Sequence, residues 1–217
     1  RFRPCFSKLW QTASTASVSL IMDETHGQIE EMQSAIVLQR LTKLFGPTPS
    51  DVLPFVHQGL DKNKIFNEHG HVLALRDISL KIETGKVQII MGLSGSGKST
   101  LLRHINRLIE PSAGRILIRG RDVLSLDKQE LRKFRQHQIS MVFQRFALLP
   151  HRTIQDNVAF GLSAQKATSS AQRETANTWV HKVGLGGYEN SFPAQLSGGM
   201  QQRVGLARAL ATGAECL

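Results

Sequence analysis

The sequence predicts an α/β fold on three observations. β-rich runs crowd the chain up to residue 91, a glycine-rich loop separates the last of them from an amphipathic helix, and after Pro150 the apolar spacing turns helical. With 217 residues, 41% of them hydrophobic, the chain buries one sizeable core or a core with a smaller satellite lobe.

The apolar-rich run 36–44 suits a strand, and Phe45, Gly46 and Pro47 close it with turn residues. Residues 47–72 then read as a short helical pair inserted between strands, with Ser50 and Asp61 as caps and Gly59 and Gly70 as stops. HVLALRDISLKI and KVQIIM follow as two strands joined by a turn at Glu83, Thr84 and Gly85. From Lys98 the positions Leu101, Leu102, Ile105, Leu108 and Ile109 share one helical face, which Pro111 ends. RILIRG and ISMVF are strand-like around the polar helix QELRKFRQH. Three further helices are expected: TIQDNVAFGL behind Thr153, SSAQRETANTWVHK with a Ser169/Gln172 capping box and a stop at Gly184, and GMQQRVGLARALA with Met200, Val204, Ala207 and Ala211 on one face.

No apolar run reaches the roughly 18 residues of a membrane span, so membrane contact is expected through another subunit. Cys5 and Cys216 have neither disulfide-framework nor zinc-site spacing, and a reducing compartment is the default. The net charge of +10 suits nucleic acid or anionic lipid, but no basic patch is interleaved with aromatics, and a solvated basic surface is the plainer reading. Residues 1–22 are basic, rich in Ser and Thr and free of acids. They read either as a transit-peptide-like segment or as sequence upstream of a start at Met22 or Met32, so 1–31 is expected to be a disordered or non-native extension.

The chemistry sits first at GLSGSGKST, residues 92–100, which matches G-x-x-x-x-G-K-[ST] between a strand-like run and a helix. Gly92, Gly95 and Gly97, with Ser94 and Ser96 between them, let successive backbone N–H groups turn toward phosphate oxygens. Lys98 adds a point charge for the β- and γ-phosphates, and Ser99, followed by Thr100, can ligate Mg²⁺. Thr100 stands where a dinucleotide fingerprint would need its third glycine, which disfavours that alternative. The second site is LSGGM, where Ser197 caps a helix and Gly198 and Gly199 leave its first N–H groups open to an anion; standing alone it would be an ordinary helix cap.

The phosphate loop, Gln144 in MVFQ and the LSGGM segment together resemble the ATP-binding cassette family. The insert with FVHQGLDKNKIFNEHG, IIMGLSGSGKSTLLRHINRLIEP and MVFQRFALLPHRT resemble more narrowly the ATPase subunits of glycine betaine/proline betaine importers, over about residue 36 to the end. The resemblance implies a P-loop ATPase domain over 32–217, with an N-terminal β-subdomain, a RecA-like parallel-sheet core and a helical signature subdomain at 145–199. It implies ATP and Mg²⁺ as cofactors, Lys98 and Ser99 holding them, and Gln144 at the metal or attacking water. Ser197, Gly198 and Gly199 would serve ATP held by a second ATPase subunit in a head-to-tail dimer. Phe45 stands where the family stacks an aromatic on adenine, a strand-end core residue being the alternative.

Transmembrane permease subunits are the implied partners, with a solute-binding protein reached indirectly and no nucleic acid, and the implied place is the cytoplasmic face of the plasma membrane. Choline, carnitine and trimethylamine oxide stay open as solutes. A soluble cassette ATPase acting on DNA or ribosomes is the reading that the basic charge suits, and FALLPHRTIQDNV, similar to the importer segment facing a transmembrane coupling helix, argues against it. The family's Asp-Glu strand end, switch histidine and regulatory domains fall beyond Leu217, so the chain is expected to bind Mg-ATP and to hydrolyse it near background when alone.

Overall fold

The computed structural model describes residues 34–144, 146–163 and 168–217. The expected extension 1–31 lies outside them. Strand β1 (Ser34–Phe45) is the centre of an antiparallel sheet, flanked by β2 (Val72–Glu83) and β3 (Ala113–Ile118), with β4 (Arg121–Asp122) at the far edge, in the order β2-β1-β3-β4. Leu38 pairs with Leu80 on one side and Ile116 on the other, and Phe45 pairs with Val72 at the end of the ladder. The register shifts near Arg40, where Arg40 and Asp77 both adopt positive φ and their side chains form an ion pair at 3.0 Å. Gly114, at φ 101°, lies so close to the Gln39 and Arg40 carbonyls that a Cβ would sit 2.6 Å from both, so glycine alone fits opposite this bulge.

The insert is a helical pair, α1 (Pro49–His57) and α2 (Lys62–His69). Asp61 caps α2 as expected, accepting the Asn63 N–H at 2.7 Å, and Gly70 ends it in the left-handed region. Ser50 is not a cap: Pro49, with its fixed φ, already occupies the first helical position, and Thr48 becomes the N-cap residue without a side-chain bond. Val52, Val56 and Ile65 bury against Leu44 and Leu73, and Phe55 stacks on His69 at 4.6 Å, so the pair docks on the strand ends that flank it.

Helix α3 (Lys98–Ile105) packs Leu101 and Ile105 onto the sheet, in one core with Ile36, Leu38, Leu41, Ile116, Ile118 and Phe134 of α4 (Lys128–His137). It stops sooner than Pro111, because Asn106 caps it and Arg107 turns to φ 53°, which leaves Leu108 exposed; Leu102, inside the helix, is exposed as well rather than on the buried face with Leu101 and Ile105. An Asp127/Glu130 capping box starts α4. A second core gathers α5 (Ile154–Ser163), α6 (Ser169–Lys182) and α7 (Gly198–Ala211) around Ile154, Val158, Ala176, Val180, Val204 and Ala207. Thr153 caps α5 as expected, its hydroxyl accepting the Asp156 N–H at 3.2 Å. The N-cap residue of α6 is Thr168 rather than Ser169, and its hydroxyl engages Ser170 Oγ instead of the backbone, so the expected Ser169 cap does not form.

The two remaining strand expectations differ from the structure. Residues 87–91 pair in no ladder among the described residues, although Val87, Ile89 and Met91 keep the alternation of a strand and Ile90 packs on the first core. Residues 139–143 contribute only an isolated parallel bridge from Ile139 to Cys216. The reason is physical: β-propensity marks a run that fits a sheet, but a parallel strand exists only once a neighbour takes up its N–H and C=O groups.

Candidate functional site

The loop 92–100 leaves the first core beside β2 and enters α3 directly. Gly97, at φ 91°, packs so tightly on β2 that a Cβ would lie 2.6 Å from the Ala74 carbonyl oxygen, which fixes the loop's exit against the strand. Gly95 also adopts positive φ, at 78°, and Ser96 N–H closes a turn onto Leu93 O at 3.2 Å. Lys98 Nζ donates to Gly92 O at 2.8 Å and to Leu93 O at 2.5 Å, so the ammonium lies inside the curve of the loop. Ser94, Ser96 and Ser99 are exposed and Thr100 is half-buried. Beneath them His104 is fully buried and bonds the Thr100 carbonyl through Nδ1 at 2.6 Å; burial pushes its pKa down, and among the described residues its Nε2 has no hydrogen-bond partner. Nδ1 is therefore the protonated nitrogen of a neutral ring.

Phe45 stands at the end of β1, opposite Val72 and two strand residues from where β2 meets Gly97. Its ring is partly exposed, and Lys43 Nζ lies 5.0 Å from its centroid, so the aromatic carries a cation on one side. Gly46 beside it has no room for a side chain, since a Cβ would overlap the buried His71 ring. Gln144 is exposed on the segment after 139–143.

Ser197 caps α7 by accepting the Met200 N–H at 3.3 Å. Gly198 and Gly199 are exposed, neither has positive φ, and a Cβ on either would meet nothing within 4 Å among the described residues, so no contact inside the chain requires glycine there. The loop and this helix start belong to different cores with no shared residue.

Two residues that sequence reasoning passed over tie α7 and α5 to the segment that follows Gln144. Arg208 of α7 donates to Ala147 O at 2.7 Å and to Phe146 O at 2.9 Å, and both acceptors belong to residues with positive φ directly after Gln144. Burial lowers its pKa from the ordinary arginine value, yet a guanidinium stays charged. Asn157 is wholly buried, accepts the Leu149 N–H at 2.8 Å, and donates to the Leu149, Arg152 and Thr153 carbonyls. The available signal was a polar residue on the helix face that otherwise carries Ile154, Val158 and Leu162.

A glycine-rich loop that turns into a helix start, with a lysine bonded to the loop's own carbonyls, is the arrangement of a phosphate loop in an α/β domain. The model of the family described as ABC transporter matches residues 75–217, and the chain belongs to that family. It is 47% identical over 186 residues to the glycine betaine/proline betaine transport system ATP-binding protein ProV of Escherichia coli, covering 86% of this chain and 46% of that protein. It is also 47% identical to the glycine betaine/carnitine transport ATP-binding protein GbuA of Listeria monocytogenes, over 85% of this chain and 46% of that protein. The chain thus spans about half the length of the curated relatives it matches. Among solved structures it resembles the dimeric ATP-binding cassette MJ0796, with a TM-score of 0.69 and 33% identity over 82% of this chain and 70% of that one. Among the described residues no helix is long and apolar enough to cross a membrane, and no group of three or more His, Cys, Asp or Glu could hold a metal ion.

Proposed function

We propose that the chain binds ATP with Mg²⁺ at 92–100 and serves as the ATPase of an importer for a small quaternary amine such as glycine betaine or proline betaine. The observation that carries the nucleotide part is Lys98 folded onto the Gly92 and Leu93 carbonyls, a cation set inside a glycine-walled curve at a helix start. In this reading the loop's N–H groups and Lys98 bind the phosphates, and Phe45 orients the base. Mg²⁺ ordinarily keeps several waters and is held by one or two carboxylates with the substrate phosphates, a P-loop hydroxyl adding a further oxygen, and it would neutralise charge on the transferred phosphoryl group. The oxygens this chain would offer the ion in this reading are the exposed Ser99 hydroxyl and the exposed Gln144 amide. Gln144 orients the attacking water and, through 146–158, faces a permease subunit.

The head-to-tail dimer rests on Gly198 and Gly199, whose open surroundings leave room for a partner's phosphates. The solute class rests on likeness to relatives named for glycine betaine, carnitine and, at 43% identity, trimethylamine N-oxide transport. A permease-bound ATPase works at the cytoplasmic face of the membrane. The test is uptake of labelled glycine betaine in cells that express this chain together with a glycine betaine permease and its solute-binding protein. Uptake that disappears with Lys98→Ala supports the reading. Uptake indifferent to that change, or ATP turnover stimulated by DNA or ribosomes instead, contradicts it.

A further inference from the structure

The helical insert does not sit apart from the phosphate loop. Between them lies a cavity of about 250 Å³ lined by Asp61 and Lys62 of the insert, Ala74 and Arg76 of β2, and Gly95 and Ser96 of the loop. Arg76 lines its edge, its guanidinium donating to the Leu60 carbonyl at the turn between α1 and α2. The Asp61 carboxylate is engaged as the cap of α2. Lys62, at the first position of that helix, has no carboxylate within ion-pair distance among the described residues, so the wall facing the loop carries two cations against one occupied anion.

We infer that the insert forms part of the nucleotide site, with Lys62 a binding residue for the polyphosphate of ATP seated in the loop. The inference rests on the reading that 92–100 holds ATP. A phosphate group beside Gly95 and Ser96 lies against the cavity that Lys62 lines, and its ammonium supplies a positive charge there in addition to Lys98, whose Nζ bonds Gly92 O and Leu93 O and lies 3.4 Å from Ser96 Oγ. Arg76 positions the insert by holding the Leu60 turn.

The experiment is calorimetric titration of the intact chain with ATP and Mg²⁺, at low and at high salt, for Lys62→Ala, Lys62→Glu, Lys62→Arg and Lys64→Ala. Lys64 is a fitting control, since it shares the helix and the charge but lines a different depression. Lys62→Ala is expected to weaken ATP about fivefold, the size of one partly exposed charge contact, and Lys62→Glu more. Lys62→Arg and Lys64→Ala should stay within about twofold, and the Ala and Glu losses should shrink in roughly 0.5 M salt, which a purely structural role for Lys62 would not produce. Wild-type affinity in the Ala and Glu variants, or an equal loss in Lys64→Ala, overturns the inference. Lys98→Ala separates the two readings: lost binding there beside normal Lys62 variants removes only the role of the insert, whereas retained binding removes the loop assignment with it.

Discussion

Replacing Arg208 tests whether the signature helix and the segment after Gln144 act as one unit. Arg208→Met keeps the stem that packs in α7 and deletes both bonds, to Ala147 O at 2.7 Å and Phe146 O at 2.9 Å. A hydrogen bond from a charged donor is worth about 1.5–3 kcal/mol. Ala147 is exposed, so its carbonyl turns to water at little cost, while the half-buried Phe146 carbonyl is the larger loss. The two residues also hold φ of 57° and 48°, a conformation costing roughly 1–2 kcal/mol each that Arg208 helps to maintain. We therefore expect global stability to fall by only about 1–2 kcal/mol. Residues 146–149 should lose most of their amide protection, while ATP affinity at 92–100, on the other core, stays within about twofold. Hydrogen exchange read by mass spectrometry, with ATP titration in parallel, measures both. Arg208→Lys, a point charge able to serve one carbonyl, should fall between. Unchanged exchange at 146–149 would refute the reasoning, as would ATP affinity falling as far as stability.

His104 gives a pH dependence with a definite sign. Its folded pKa lies below the ordinary value of roughly 6.5, burial being the largest cause, ahead of the opposing bond to Thr100 O and of Lys43 and Glu110, which face it. The unfolded chain then binds the proton more readily, so stability is full above about pH 7 and falls as pH drops through 6.5 and below. Urea unfolding midpoints from pH 8 to 5 should show the loss, and His104→Phe should flatten it; an equal slope in that variant removes His104 as the cause. Asn157→Ala should cost about 2–3 kcal/mol in urea unfolding, because the Leu149 N–H and the Leu149 and Arg152 carbonyls lose their partner, and a change under about 0.5 kcal/mol would contradict the buried clamp. Ser197→Ala and Gly199→Ala should leave nucleotide affinity of the monomer within about twofold while turnover in the assembled transporter drops at least tenfold, as expected for groups that act on a partner's phosphates; equal losses in both assays would rule out a site completed across a dimer.

The parts of the site that were legible in the sequence are those whose chemistry is contiguous. The loop 92–100 and the Ser197 cap require residue types at fixed offsets along one turn of chain, and the structure places them at the helix starts expected. The insert was legible for the same reason, through Asp61 and Gly70. What escaped depends on partners distant in sequence. Nothing in VQIIM says whether a neighbouring strand pairs with it, and nothing local shows that Arg208 reaches back to Ala147 or that Asn157 spans Leu149 to Thr153. Ser50 and Ser169 are reasonable cap residues that lost the position by one or two residues, a difference set by Pro49 in the first case. Lys43 beside Phe45, by contrast, follows from strand alternation alone, since residues two apart on β1 share a face.

The central claim, that residues 92–100 form a triphosphate site, is tested most directly by equilibrium binding of ATP with Mg²⁺ to the wild-type chain and to Lys98→Ala, with folding of both checked by circular dichroism. Loss of the cation inside the loop removes the main countercharge to the β- and γ-phosphates, so the account expects saturable binding by the wild type and none detectable in the variant at the same concentrations. A folded Lys98→Ala chain that binds ATP with wild-type affinity would contradict it.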